Sequence, residues 1–123
     1  MLVGVFLVVG CGREYGHQQL AGDSPEAREV ERLVEELRQA APERRGELMR
    51  SQAADGLEEN RFAALAAALR ELADAEIVTV KRVDRYGEDV FQASFEWTTA
   101  EGKRRASLLL VRADGRLRWA GPN

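Results

Sequence analysis

At Glu76 the spacing of apolar residues changes from a period near 3.6 to a period of 2, and this change divides the chain into a helical part and a sheet part. Upstream, Ser24-Pro25 is a helix start: the serine can cap free amides, and proline at the first helical position loses no needed hydrogen bond. Ala27, Val30, Leu33, Val34, Leu37 and Ala41 then recur at helical spacing. Pro42 ends this helix or opens the next, and residues 43–54 form a weaker helix with Leu48, Met49 and Ala53 as its apolar side. Asp55-Gly56 breaks it. A third helix carries Phe62, Leu65, Leu69, Leu72 and Ala73 along one side of an alanine-rich run.

Downstream, Ile77–Val83 is rich in β-branched residues and reads as a strand, followed by the turn-like stretch Asp84–Asp89. Val90–Thr98 alternates, with Phe91, Ala93, Phe95 and Trp97 on one face and Gln92, Ser94, Glu96 and Thr98 on the other. Arg105–Arg112 contains four consecutive apolar residues, Leu108 to Val111, so both of its faces want cover. Asp114-Gly115 is a hairpin turn signal, and Arg116–Ala120 is the last strand, with Leu117 and Trp119 on one face. Short turns of this kind make an antiparallel meander, and the helices must cover its aromatic face. The expected fold class is α+β: about three N-terminal helices packed on a curved four-stranded antiparallel meander, forming a single domain over residues 24–123.

With 123 residues, 45% hydrophobic and 32% charged, the composition is that of one globular domain with a core of its own. A net charge of −3 leaves no electrostatic footprint for nucleic acid. Charge is uneven: residues 12–75 hold nine basic and fourteen acidic side chains, residues 76–123 nine basic and seven acidic. One cysteine, Cys11, permits no internal disulfide.

The stretch LVVGCGREYG (residues 7–16) admits two chemistries. A dinucleotide loop needs G-x-G-x-x-G between a strand and a helix; Gly10 and Gly12 fit, but Tyr15 occupies the third glycine position. A motif for S-adenosylmethionine usually has an acid where Val8 stands, and a further parallel strand must follow, whereas residues 26–40 are helical in pattern. An ordinary N-terminal strand is a third reading of this stretch. The alternative chemistry is export. Val8-Val9-Gly10-Cys11 follows an apolar run, Leu2–Val9, too short to span a bilayer, and precedes the polar, glycine-bearing residues 12–23. This stretch resembles a bacterial lipobox. The resemblance implies cleavage between Gly10 and Cys11, a diacylglyceryl group on Cys11, residues 1–10 as signal peptide and residues 11–23 as lipidated cysteine and tether. No lysine or arginine precedes the apolar run, which fits a start lying upstream of Met1.

A helical half followed by a meander with an Asp-Gly turn and Trp119 resembles the nuclear transport factor 2-like superfamily, in particular its small bacterial lipoproteins; a cystatin-like sheet around one helix gives a similar pattern. The resemblance implies a cone whose sheet and helices enclose a pocket, with many members dimerising through the sheet. Phe62, Phe91, Phe95, Trp97 and Trp119 are then either core or the lining of a pocket for an apolar ligand. Leu108 and Leu110 lie opposite Leu109 and Val111 and are candidates for a homodimer face.

No catalytic set, metal-ligand cluster or phosphate loop stands in the sequence, and no metal or cofactor is expected. The single histidine, His17, falls in the tether, and Asp84, Glu88 and Asp89 fall in a turn. Lys103-Arg104-Arg105 is either a solvated turn or a contact for anionic headgroups. The expected protein is a non-enzymatic binding or interaction domain anchored in the cell envelope. Its site would be the periplasmic face of an outer membrane in a Gram-negative cell, or the outer leaflet of the plasma membrane in a Gram-positive one. The alternatives are an intracellular cofactor-binding fragment using Gly10 and Gly12, and an envelope enzyme using the cone pocket.

Overall fold

The computed structural model describes residues 17–122. The apolar run, Gly10, Cys11 and residues 12–16 lie outside the described residues, as does Asn123. The order of elements is β1 (Gln18–Gln19), α1 (Pro25–Gln39), a 3-10 turn (Pro42–Arg44), α2 (Arg45–Gln52), α3 (Glu59–Asp74), β2 (Val78–Arg85), β3 (Val90–Thr99), β4 (Gly102–Ala113) and β5 (Arg116–Pro122).

The local chemistry of α1 is that of its sequence. The Ser24 hydroxyl accepts the Ala27 amide at 3.1 Å and Pro25 occupies the first turn, while Ala27, Val30, Leu33, Val34 and Leu37 are buried. In α3 the buried face is Leu65, Ala66, Leu69, Leu72 and Ala73, and its small residues let the helix lie close to the sheet. Helix α2 is shorter than expected because its first turn is the 3-10 turn begun by Pro42.

The sheet is an antiparallel meander in sequence order, β1-β2-β3-β4-β5, so it has five strands and not four. The added strand is short: Gln18 and Gln19 pair with Arg85 and Asp84, and the Leu20 amide donates to the Val83 carbonyl at 2.8 Å. The last part of the expected tether is therefore a sheet edge. Two strands joined at Asp114-Gly115 turn where both residues have positive φ, 55° and 76°, as a two-residue hairpin with strand twist demands.

Inward-facing residues form one core with the helices. Phe91, Ala93, Phe95 and Trp97 of β3, Leu108 and Leu110 of β4, and Leu117 and Trp119 of β5 are all buried there. An irregularity in β2 between Val80 and Arg82 lets Val78, Val80 and Val83 share the inner face despite their odd spacing, as a bulge residue does. The same shift sends Asp84 to the outer face, opposite Gln92.

The faces of β4 correct one expectation. Leu108 and Leu110 are 0% exposed, so they are core and not a dimer face. Their register partners, Ala93 and Phe91, point to the helices, and pairing across an antiparallel ladder puts partners on the same side. Leu109 and Val111, with Val90, are the apolar side chains on the outer face.

Candidate functional site

Phe91, Phe95 and Trp119 fill the interior of the fold and do not line an open pocket: each is at most 1% exposed. Phe95 and Trp119 meet as a tilted ring pair 6.2 Å apart. Trp119 is tied by its Nε1, which donates to the Gln52 Oε1 at 2.8 Å, while the Gln52 amide donates to the Leu33 carbonyl and the Glu36 carboxylate, each at 3.1 Å. Phe62 lies at the helical rim, where the Arg50 guanidinium sits 3.9 Å above its ring. Trp97 is a core aromatic that also borders a surface cleft.

That cleft, about 610 Å³, lies between the C-terminal end of α3 and the β3–β4 hairpin. Its walls are Arg70, Glu71, Asp74 and Ala75 on the helix side and Trp97, Thr98, Thr99 and Ala100 on the hairpin side, with Glu76 between. Trp97 is 5% exposed, and its indole Nε1 has no hydrogen-bond partner among the described residues. Two of the three acids are engaged: Glu71 pairs with Arg104 of β4 at 3.6 Å, and Asp74 accepts from Arg45 at 2.6 Å. Among the described residues no ion pair holds Arg70.

At the other end of the interior the polar groups neutralise one another. Glu26 lies 3.5 Å from Arg85 and 3.6 Å from Arg112; Glu29 lies 3.8 Å from Arg112 and accepts the Leu117 amide at 2.8 Å. Arg85 and Arg112 approach the Phe91 ring at 5.3 and 5.5 Å.

The outer face holds two residues that the sequence pattern set apart. Asp84 is in β2 and buried, not in the following turn, because the bulge extends the strand to Arg85. Its carboxylate accepts from Arg82 at 2.8 and 2.9 Å and meets His17 Nε2 at 2.9 Å. The Arg82 hydrogen bond, aided by His17 and opposed by burial, holds the Asp84 carboxyl below the usual carboxylate range. His17 also stacks on Tyr86 with centroids 4.8 Å apart. Further along this face, a second cleft of about 550 Å³ is bordered by Lys81, Ser94, Glu96, Arg105 and Ser107. Glu96 is flanked by Arg105 at 3.3 Å and Lys103 at 3.8 Å, so the basic triplet splits: Lys103 and Arg105 face outward and Arg104 faces α3. Glu88 and Asp89 do lie in the β2–β3 turn.

Among the described residues no group of three His, Cys, Asp or Glu could hold a metal ion, and no helix is long and apolar enough to cross a membrane. The all-antiparallel sheet of the described residues does not contain the parallel strand that a dinucleotide or S-adenosylmethionine loop requires.

Sequence reasoning missed the roles of His17, Asp84 and Gln52. For Gln52 a signal existed: it lies three residues after Met49 on the apolar side of α2, a place where a polar residue needs a buried partner. No family model matches this sequence, and no curated protein does. Among solved structures the chain is similar to a de novo designed NTF2 fold protein, NT-9, with a TM-score of 0.54 and 12% identity over 82% of this chain and 84% of that one. At that identity the likeness speaks to fold alone: the chain has a nuclear transport factor 2-like α+β fold.

Proposed function

We propose that this chain is a lipid-anchored protein of the cell envelope whose single domain binds a ligand or partner without catalysis. The observation that carries the anchor is Val8-Val9-Gly10-Cys11 behind an apolar run and only six positions before His17, the first residue of the described domain. Six residues, 12–17, then separate the lipidated cysteine from the sheet edge at Gln18, a reach of roughly 20 Å when extended. The domain is thereby kept beside its membrane, where Lys103 and Arg105 on the outer face can meet anionic headgroups.

A binding role is favoured over an enzymatic one by the ion pairs that engage the acidic groups. Glu26 and Glu29, the acids nearest the interior, are matched by Arg85 and Arg112, and Asp84 is matched by Arg82 and His17. General acid–base chemistry needs a group free to reach a substrate, and these three carboxylates already face cations of the protein. The test is the intact mass of the protein from the membrane fraction of an expressing bacterium, beside a Cys11→Ala control. Loss of residues 1–10 with a diacylglyceryl mass on Cys11 is the expected result. An uncut, unmodified chain in the cytosol would overturn the anchor.

A further inference from the structure

We infer that the cleft at Trp97 is a binding site for a small carboxylate with an apolar body. The inference deepens the binding role proposed above and rests on it.

Three features of the cleft point to this chemistry. The first is the Trp97 indole Nε1, an N–H that can only donate, enclosed in a residue 95% buried and lacking a partner among the described residues. Buried donors are nearly always satisfied, so an orphan at the wall of a cleft marks a place where an acceptor from outside belongs. The second is Arg70, a guanidinium on the same cleft that no described acid engages, while Glu71 and Asp74 are occupied by Arg104 and Arg45. The carboxylate of the third acid, Glu76, pairs with no cation among the described residues and stands on the same cleft. Of the groups left over, the two donors, Trp97 Nε1 and Arg70, are those that a carboxylate with its two oxygens can engage. The third is the apolar floor given by Ala75, Ala100 and the indole itself, which suits a ring or short chain behind the carboxylate.

The Arg104–Glu71 pair stands at the side of the cleft. It runs from β4 to α3, and Arg104 is the register partner of Trp97. Both side chains are about half exposed, 49% and 51%, and an exposed pair of this kind opens easily. On this inference its opening gives a ligand access to the edge of the indole, and the bound carboxylate then faces Arg70. This cleft is separate from the cone interior, which Phe91, Phe95 and Trp119 occupy.

The experiment uses the full chain, lipidated and held in nanodiscs, with phenylacetate as probe and phenylacetamide as its uncharged counterpart. The chain has two tryptophans, so its nitrogen-15 spectrum has two indole signals, and Trp97→Phe identifies one of them. The Trp97 signal is expected to shift saturably with phenylacetate, with the Trp119 signal unmoved because Gln52 already holds that N–H. Phenylacetamide should bind more weakly, and Arg70→Gln should weaken phenylacetate by about tenfold, the usual size for loss of one charged hydrogen bond. A Trp97 signal that stays fixed at millimolar phenylacetate, equal responses to acid and amide, or an Arg70→Gln variant of unchanged affinity would each overturn the site. The mass of the same sample separates the two readings. A fixed signal in a chain carrying lipid on Cys11 removes the ligand and keeps the anchor, whereas a shift in an unlipidated chain keeps the ligand and removes the anchor.

Discussion

Two tryptophans on the same inner face provide a matched test of how hydrogen bonding divides the site from the core. Trp119→Phe and Trp97→Phe delete the same atoms from positions that are 0% and 5% exposed, so their transfer and cavity costs are similar, about 1–2 kcal/mol each. They differ in the N–H. Removing it from Trp119 leaves the Gln52 Oε1, in a residue 6% exposed, without its donor, which adds about 1–3 kcal/mol. Removing it from Trp97 deletes a group that has no partner, which returns part of the cost of burying it unpaired. Trp119→Phe is therefore expected to be the more destabilising by about 2 kcal/mol or more. For a domain near 100 residues that is a difference of roughly 10 °C in melting temperature. Urea unfolding followed by far-ultraviolet circular dichroism reads it without relying on tryptophan emission. Equal destabilisation, or a larger loss for Trp97→Phe, would refute the assignment of Trp119 as the bonded indole and Trp97 as the free one.

The reversed faces of β4 predict that Leu108→Ala costs about 2–5 kcal/mol and Leu109→Ala less than about 1 kcal/mol, both measurable by denaturant midpoint. The Asp84 carboxyl is depressed in the folded state, so it contributes stability above the unfolded carboxylate value near 4 and loses it as pH falls through its lower folded value. Asp84→Asn should thus be less stable than the parent at pH 7, and the gap should close on acidification; a gap that stays constant from pH 7 to 2 would contradict this. His17→Ala removes the stack on Tyr86 and one partner of Asp84, so the Leu20 amide, bonded to Val83, should exchange with solvent faster while amides of β3 keep their protection.

The helices and the sheet were legible because their apolar spacing is clean: the buried residues of α1 are those of the period-3.6 pattern, and Phe91, Ala93, Phe95 and Trp97 alternate with polar neighbours. Strand β1 was not legible, since two glutamines carry no strand pattern and are ordered by the edge of β2 that they pair with. Asp84 was placed in a turn because its acidity and the following Arg-Tyr-Gly read as turn chemistry; the bulge at Lys81 that keeps it in the strand leaves no mark in composition. The faces of β4 were ambiguous in the sequence for a simple reason. In a run of four apolar residues either parity satisfies the pattern, and only pairing with β3 decides between them.

That parity also bears on where a ligand can sit. With Leu108 and Leu110 turned inward beside Phe91, Phe95 and Trp119, the interior is filled by large side chains to essentially zero exposure. Opening a pocket there would require removing contacts worth several kcal/mol, a large share of a small domain's stability. At the rim the cost is much lower. Opening the cleft beside Trp97 breaks the half-exposed pair Arg104–Glu71, worth at most about 1 kcal/mol, while Arg104 can keep its contact with Glu101 in the hairpin. Arg104→Ala removes that strap without touching the core. If the rim is the site, this variant should bind phenylacetate at least as fast as the parent and melt within a few degrees of it. Loss of folding in Arg104→Ala would show that the pair holds the hairpin to α3 and does not guard a cleft.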